Sequence, residues 1–350
     1  MVAALESDAG DPGRIHAEGL SARHALETAR EQVASFLGCR SSREVVFTSG
    51  ATEAIAAAAW GAAERGSHQV LAAIEHSAVR SSAAAAGAVS VVGVDGLGRV
   101  DPDELLDAAG PETGLVHVQW GNHEVGTTQP VAEVVRRCRE RGVLVHVDAA
   151  QAAGRVPIDF EGLDADLLSV SAHKLGGPPG VGALLVRRGL RLRPLLLGGD
   201  QERARRAGFE NVPAILGFAA ACAAIDVDAE AAASKRLTDR VLAAVDGLDG
   251  VVVYGDPVGR LPHLVCLGIL GIEPQAVLLG LDRAGVAAHS GSACSSEALE
   301  PSPVLEAMGV DAHRSLRISV GWSSTDDDID ALLDALPRVI ADLRALGRAN

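Results

Sequence analysis

The stretch Val143-Leu144-Val145-His146-Val147-Asp148-Ala149-Ala150-Gln151 predicts a buried strand that ends in a carboxylate. A second apolar run, 167–171, ends in Ser171 and leads directly into Ala172-His173-Lys174. A lysine amine just past a strand end can form a Schiff base with an aldehyde cofactor, and Asp148 can keep a pyridine nitrogen protonated. The two strand ends therefore predict a cofactor site at the edge of a sheet, where ligands bind in α/β folds.

Composition limits what the chain can be. The 350 residues carry a net charge of −15, with 48% hydrophobic and 22% charged residues, which is typical of a globular protein with room for a large domain and a smaller one. The negative charge argues against direct nucleic-acid binding and against attraction to an anionic membrane. The first ten residues lack a basic start and a long apolar run, so we expect no signal peptide and a cytoplasmic location.

Strand-like and helix-like runs alternate in the first two thirds of the chain. This βαβ pattern predicts an α/β fold with a mostly parallel sheet between helices, as a large domain over 1–224. The pattern then changes, and 225–350 predict a smaller α+β domain. The predicted strands are 44–48, 69–74, 88–94, 114–119, 143–148, 167–171, 182–186, 251–254, 263–267 and 315–320, and the predicted helices are 16–37, 53–65, 131–141, 229–248, 275–284 and one from about 326.

Two strand ends in the first half carry candidate cofactor ligands. Thr48-Ser49-Gly50-Ala51-Thr52-Glu53 follows a strand and opens a helix, so the backbone at Ala51 and the hydroxyl of Thr52 could bind phosphate. The alternative is an ordinary helix cap. His76 ends another strand, where an imidazole could stack on a cofactor ring and transfer protons. By itself, a histidine with only a structural role is the commoner case.

The candidates around the quoted stretch also have structural alternatives. Asp148 could simply cap the next helix; the functional interpretation is a salt bridge to a pyridinium nitrogen, with Gln151 donating to the ring phenolate. Lys174 could be a solvated surface lysine, whereas imine formation favours a buried lysine with a lowered pKa. The chain has only two lysines, Lys174 and Lys235, and arginine fills its other basic positions. This scarcity favours a specific role for Lys174.

The second half supplies an arginine and a cysteine. Arg317 lies among apolar neighbours in a predicted strand, where its guanidinium could bind a substrate carboxylate or form a structural ion pair. Cys294 lies in the loop Ser290-Gly291-Ser292-Ala293-Cys294-Ser295-Ser296, unlike the other four cysteines, of which three fall in apolar or helical patterns. The five cysteines lack metal-ligand spacing, so we predict no metal site. Lysine, aspartate and a loop cysteine together indicate sulfur chemistry on pyridoxal 5'-phosphate (PLP).

These motifs resemble those of the cysteine desulfurases in the class V aminotransferase superfamily. The resemblance runs from about residue 11 to the C-terminus and includes a long cysteine loop. It implies a fold-type I PLP enzyme that converts L-cysteine to alanine and leaves a persulfide for an acceptor protein. The motifs follow the family's order: residues 48–53, 75–76, 122–130, 148–151, 171–174, 210–213, 291–296 and 317–321.

The resemblance also implies roles for individual residues and a homodimer whose subunits complete each other's sites. Lys174 would hold PLP, Cys294 would attack the substrate sulfur, and His76 would stack on the ring and handle protons. Arg317 would bind the substrate carboxylate. Other ligands would come from the phosphate-binding group Ala51, Thr52, Ser171 and His173, from the ring-binding pair Asp148 and Gln151, and from Asn122 and His123, the latter also touching substrate.

One preceding segment and three positions depart from the family pattern. An N-terminal segment that lines the family's site does not precede residue 1, so we expect a misplaced start, an open site or a piece supplied by another chain. His123 replaces an asparagine that contacts cofactor and substrate, which introduces a titratable group. Phe209 replaces a threonine that reaches the partner's PLP phosphate, and Asp200 replaces a glycine. We therefore predict weaker PLP retention than is typical of the family.

Two other functions compete with the desulfurase. A related PLP lyase or aminotransferase could share most of these motifs, but it would not need Cys294 as a nucleophile. A scaffold of low activity, working as half of a hetero-oligomer, would fit the departures at His123 and Phe209. The intact Lys174 and Asp148 oppose that reading.

Overall fold

The computed structural model describes residues 1–6, 10–290 and 301–349, and divides the chain into two compact units. The first unit comprises residues 1–92, 101–120 and 130–227. The second comprises 93–100, 121–129 and 228–350. Two short segments of the first half of the chain, 93–100 and 121–129, thus belong to the second unit. A single boundary at residue 224 would place both of them in the first. Local hydrophobic patterns identify elements, and they carry little information about which unit a connecting loop joins.

A seven-stranded sheet forms the centre of the first unit. Its strand order is β1-β7-β6-β5-β4-β2-β3, with parallel pairing from β3 to β6 and antiparallel pairing of β7 with both β6 and β1. The predicted mostly parallel α/β sheet is confirmed. The strands are β1 Val45–Thr48, β2 His68–Ala72, β3 Ala88–Val92, β4 Thr113–Gln119, β5 Leu144–Asp148, β6 Leu167–Ser171 and β7 Gly182–Val186.

Helices accompany these strands. Strands β4, β5, β6 and β7 are buried at every position, because helices cover both faces of such a sheet. The helices are α1 Val2–Glu6, α2 Ala17–Phe36, α3 Ala51–Ala62, α4 Ser77–Ala86, α5 Pro102–Asp107, α6 Val131–Arg141, α7 Phe160–Leu163, α8 Gln201–Ala204 and α9 Val212–Ala224, with 3-10 turns at Ser42–Glu44 and Ala172–Leu175.

The second unit is built on a three-stranded antiparallel sheet of order β10-β9-β8. Aliphatic side chains from the central strand, such as Val265 and Leu267, pack with residues of the long helices into one hydrophobic core. Its elements are α10 Val227–Val245, β8 Val251–Tyr254, β9 Leu264–Ile269, α11 Pro274–Arg283, α12 Pro303–Ala307, β10 Ser315–Ser319 and α13 Asp326–Ala349.

A helix that crosses a bilayer needs about 20 predominantly apolar residues. Among the described residues no single helix combines the required length with sufficient apolar character; only α9 and α10 taken together, as a bent pair, meet these two criteria. The buried side of α9 includes Ile215, Phe218 and Cys222, as in the core helix of a globular unit.

Candidate active site

The predicted phosphate ligands lie at or just after the ends of β1 and β6, which both pair with β7. Thr48 of β1 and Ser171 of β6 both pair with Gly182 of β7. A Cβ atom on Gly182 would lie 2.7 Å from the Gly50 Cα, and one on Gly50 would lie 3.7 Å from the Ser171 Oγ. Glycine at 182 therefore lets the N-terminus of α3, with Ala51 at its first turn, approach the end of β6.

The side chains at this edge can donate hydrogen bonds to a phosphate. Thr52 is exposed in the first turn of α3, where the backbone N–H groups of a helix are not used inside the helix. Ser171 Oγ and His173 Nδ1 are 2.9 Å apart. Burial and the charge of Lys174 both lower the pKa of His173. The structure thus brings Thr52, Ser171 and His173 to one region of the first unit.

Lys174 lies in the 3-10 turn that follows β6. The turn ends at Gly176, which has a left-handed conformation with φ 86°. The Lys174 side chain is exposed in the single chain, so the expectation of a buried lysine is wrong for the isolated subunit. The side chain lies in a turn beyond the last residue of β6, where the sheet itself does not cover it.

Asp148 ends β5 as the sequence predicts. Its carboxylate is 8% exposed, and its Oδ1 accepts a hydrogen bond from the Ala150 N–H at 3.0 Å. The Asp148 carbonyl accepts from Trp120 N–H at 2.8 Å. Gln151 follows in the same turn and is half-buried. Asp148 therefore has a fixed position at the same edge of the sheet as Ser171, one strand away.

His76 caps helix α4. Its Nδ1 accepts a hydrogen bond from the Ala78 N–H at 3.1 Å, so in the neutral ring the proton lies on Nε2. The preceding Glu75 is buried, and its carboxylate accepts from the Gln119 N–H at 2.8 Å. Sequence reasoning missed this role of Glu75, which ties the loop carrying His76 to the end of β4. In the sequence, only its position next to His76 pointed to Glu75.

A buried polar row crosses the sheet below these strand ends. Gln69 Nε2 donates to the Ala59 carbonyl at 2.9 Å, and Gln69 Oε1 lies 2.8 Å from His117 Nε2. His117 Nδ1 and His146 Nδ1 are 3.0 Å apart, and His146 Nε2 is 3.0 Å from Ser169 Oγ. His117 and His146 are both fully buried. Burial lowers the pKa of His117 to about 3, and burial together with His117 lowers the pKa of His146.

The second unit contains the other predicted ligands. Asn122 Oδ1 accepts from the backbone N–H groups of Glu124 and Val125, at 2.8 and 2.9 Å. That oxygen therefore holds its own turn, and a cofactor contact by Asn122 stays a prediction. Arg317 donates from one guanidinium nitrogen to the His123 carbonyl at 2.9 Å. Burial lowers the pKa of Arg317, while the charge of Glu124 opposes that shift.

The segment before α9 contains two of the departures. Phe209 is 63% exposed, so it does not fill the core in place of a threonine. Asp200 precedes three consecutive left-handed residues, Glu202 to Ala204, with φ between 49° and 59°. Their conformation is maintained by a buried ion pair, because both Glu202 oxygens accept from Arg30 at 2.6 and 2.8 Å.

Cys294 and its loop lie outside the described residues. Of the cysteines within them, Cys138, Cys222 and Cys266 are buried and Cys39 is half-buried, and all four are free thiols. Burial raises the pKa of Cys138 and of Cys222 to about 12, which suits structural thiols. Within the described ranges no group of three histidine, cysteine, aspartate or glutamate side chains could hold a metal ion.

The donor set of the first unit fits PLP. A helix N-terminus, two hydroxyls and an imidazole suit a phosphate, a fixed carboxylate suits a pyridinium nitrogen, and a lysine suits an aldehyde. The residues that supply them are Thr52, Ser171, His173, Asp148 and Lys174.

Comparisons with known proteins agree with this chemistry. The family model described as aminotransferase class-V matches residues 4–332. A cysteine desulfurase of Gluconacetobacter diazotrophicus is 42% identical, over 96% of this chain and 88% of the relative. A solved NifS-like protein superposes with a TM-score of 0.90 at 33% identity, covering 98% of this chain and 94% of that one. Another, from Rickettsia africae, gives 0.89 at 30% identity, covering 97% and 94%.

These likenesses extend over nearly the whole chain, and they confirm the predicted fold-type I architecture. They also confirm the resemblance inferred from the motifs. The family as a whole depends on PLP. The chain belongs to the class V aminotransferase family and, within it, to the cysteine desulfurases.

Proposed function

We propose that this chain converts L-cysteine to L-alanine and transfers the sulfur, as a persulfide on Cys294, to an acceptor protein. The observation that carries the proposal is the set of strand ends in the first unit, where Asp148, Ser171 and the Lys174 turn follow adjacent strands. PLP, when bound, would supply an electron sink for the substrate's carbon atoms. Lys174 would hold it covalently, with Thr52, Ser171 and His173 around its phosphate.

The chain's own residues would direct the rest of the reaction. Asp148 would keep the pyridine nitrogen protonated, while Gln151, Asn122 and His123 would donate or accept hydrogen bonds at the cofactor. His76 presents a protonated Nε2, because its Nδ1 is occupied as a helix cap, and it would stack on the ring and move protons. Arg317 has five guanidinium N–H groups, one of which donates to the His123 carbonyl, and others would bind the substrate carboxylate.

Sulfur transfer would use Cys294 as a thiolate. Its sulfur would attack the substrate sulfur, so that an S–S bond forms while the substrate's C–S bond breaks. The electron pair of the broken bond would remain with the substrate carbon, which takes a proton and leaves as alanine. A related lyase or aminotransferase would produce no persulfide, and this product separates the two functions.

The assembly and location of the protein belong to the same proposal. We expect a homodimer, as the resemblance implies, and the exposed apolar side chains of Leu197 and Phe209, 81% and 63% exposed, suit a surface that a second copy covers. The four free thiols within the described ranges suit a reducing cytoplasm. L-Cysteine and a sulfur-acceptor protein would be the other partners.

The test is alanine production from L-cysteine by PLP-loaded protein with a reductant. We expect alanine from the wild type and from Cys39→Ala, and none above background from Cys294→Ala. Lys174→Ala should lose both turnover and covalently held cofactor, while Lys235→Ala should keep both. Alanine from Cys294→Ala at the wild-type rate would refute the assigned nucleophile. No alanine from the loaded wild type would favour a different amino-acid substrate or a missing partner chain.

A further inference from the structure

The turn that carries His123 also carries a buried carboxylate. His123 Nε2 and Glu124 Oε1 are 3.5 Å apart, and the two side chains are only 8% and 3% exposed. An ionised carboxylate at this distance attracts a proton to the imidazole, because the positive ring and the negative oxygen then form an ion pair.

Ser302 fixes the carboxylate from behind. Its hydroxyl is fully buried and accepts from the Leu305 N–H at 3.2 Å as the cap of α12. The hydroxyl proton is directed to Glu124 Oε2, at an O–O distance of 2.5 Å. Asn122 Oδ1 holds the Glu124 backbone N–H at 2.8 Å. Glu124 is therefore held at both its backbone and its side chain, and it is a charge of fixed position beside His123.

Other charged and titratable groups of the second unit surround this pair. Arg317 donates to the His123 carbonyl, and its charge disfavours protonation of nearby histidines. His289 pairs through its backbone with Arg317; burial and Arg317 lower its pKa, whereas Glu124 opposes them. Cys266 lies opposite Arg317 across the sheet. The Glu124 carboxylate lies at ion-pair distance from the imidazole of His123 and is the negative charge that favours its protonation.

We propose that His123 and Glu124 form a proton-holding pair that tunes the affinity for the substrate carboxylate at Arg317. The inference rests on the proposed function, because it uses Arg317 as the carboxylate-binding residue. When His123 is protonated, its positive charge adds to that of Arg317 and strengthens binding of the carboxylate. When the His123 imidazole is neutral, the negative charge of Glu124 is no longer balanced and the carboxylate binds more weakly.

Protonation of His123 and binding of the carboxylate affect each other equally, because coupled binding equilibria are reciprocal. If protonation of His123 strengthens carboxylate binding about tenfold, then carboxylate binding raises the pKa of His123 by about one pH unit. Loss of the Glu124 charge acts in the opposite direction: Glu124→Gln keeps an oxygen that can accept from Ser302, but it removes the attraction for the proton. The pKa of His123 should then fall.

The first experiment follows His123 by NMR in PLP-loaded protein labelled with 13C-histidine, with the signal identified by its loss in His123→Asn. We expect its pKa to rise on saturation with L-alanine, which has the carboxylate but no thiol, and to fall in Glu124→Gln. A His123 signal that does not titrate, or a pKa that L-alanine leaves unchanged, would overturn the proposal. The comparison of the wild-type His123 pKa with and without L-alanine uses His123→Asn only to identify the signal. The test therefore still works if Glu124→Gln folds poorly.

The second experiment measures the L-alanine inhibition constant against pH. As His123 deprotonates, L-alanine binding to the wild type should weaken about tenfold relative to its binding to His123→Asn. The kcat for L-cysteine should change less over the same pH range. His289→Gln is the matched control and should keep the wild-type pH dependence of the inhibition constant. Equal pH dependence in wild type and His123→Asn would refute the pair. Failure to make alanine from cysteine, with the NMR linkage intact, would refute the proposed function and leave the pair standing.

Discussion

The buried pair His117 and His146 should make the first unit sensitive to acid. The ordinary histidine pKa is 6.5, and burial lowers that of His117 to about 3. In acid the unfolded chain therefore binds a proton that the folded chain excludes, so stability falls as the pH drops below 6.5 and stops falling near 3. At about 1.4 kcal/mol for each pH unit, the full effect of this one imidazole approaches about 5 kcal/mol.

The perturbation that isolates this effect is His117→Gln. An amide can donate to Gln69 and accept from His146 as the neutral imidazole does, but it does not titrate. Between about pH 6.5 and pH 5, the wild type should lose about 2 kcal/mol of unfolding free energy more than the variant. The absolute stability of the variant at pH 7.5 can be lower, because the quantity compared is the slope against pH.

The assay is urea unfolding followed by tryptophan fluorescence at several pH values and constant ionic strength, with PLP held saturating. The control is His24→Gln, which replaces an exposed histidine and should keep the wild-type slope. Equal slopes for wild type and His117→Gln would refute the reasoning, since they would mean that the folded state accepts the proton as readily as the unfolded chain does.

Two further predictions concern the segment before α9. Glu202→Ala should destabilise the protein by about 3–5 kcal/mol in chemical unfolding, because it removes the buried carboxylate that pairs with the buried guanidinium of Arg30 and leaves only the more exposed Glu27. Glu161→Ala, which breaks an exposed pair with Arg40, should cost less than about 1 kcal/mol. Phe209→Thr should slow the loss of PLP during dialysis about tenfold, since a hydroxyl can donate a hydrogen bond to phosphate and a phenyl ring cannot. Equal cofactor loss from Phe209→Thr and wild type would argue against that assignment.

The sequence predicts most of the regular structure because the strands of a covered sheet are short apolar runs. β6 and β7 lie where the pattern predicts them, and β5 differs by one residue. Asp148 and Lys174 were recognisable because a charged residue at the end of a buried strand, or within the turn after it, is conspicuous. Glu124 and Ser302 were not, since their 2.5 Å contact joins parts of the chain that no local pattern relates.

The exposure of Lys174 was likewise not predictable from sequence. Whether a side chain at a strand end is covered depends on what packs above the turn, and the residues that could do so are distant along the chain. The buried row through His117 and His146 has the same origin. Each histidine lies in an apolar strand, and only the strand order brings the two rings together.

The scarcity of lysine has a practical consequence for labelling this protein. The two side-chain amines of the chain are both exposed, Lys174 in its turn and Lys235 in an ion pair with Asp239 on α10. Hydride reduction of PLP-loaded protein, followed by peptide mass spectrometry, thus has two side-chain amines to distinguish. A cofactor-sized mass on the tryptic peptide spanning Lys174, and none on Lys235, would locate the attachment in a single spectrum, with the second lysine as an internal standard.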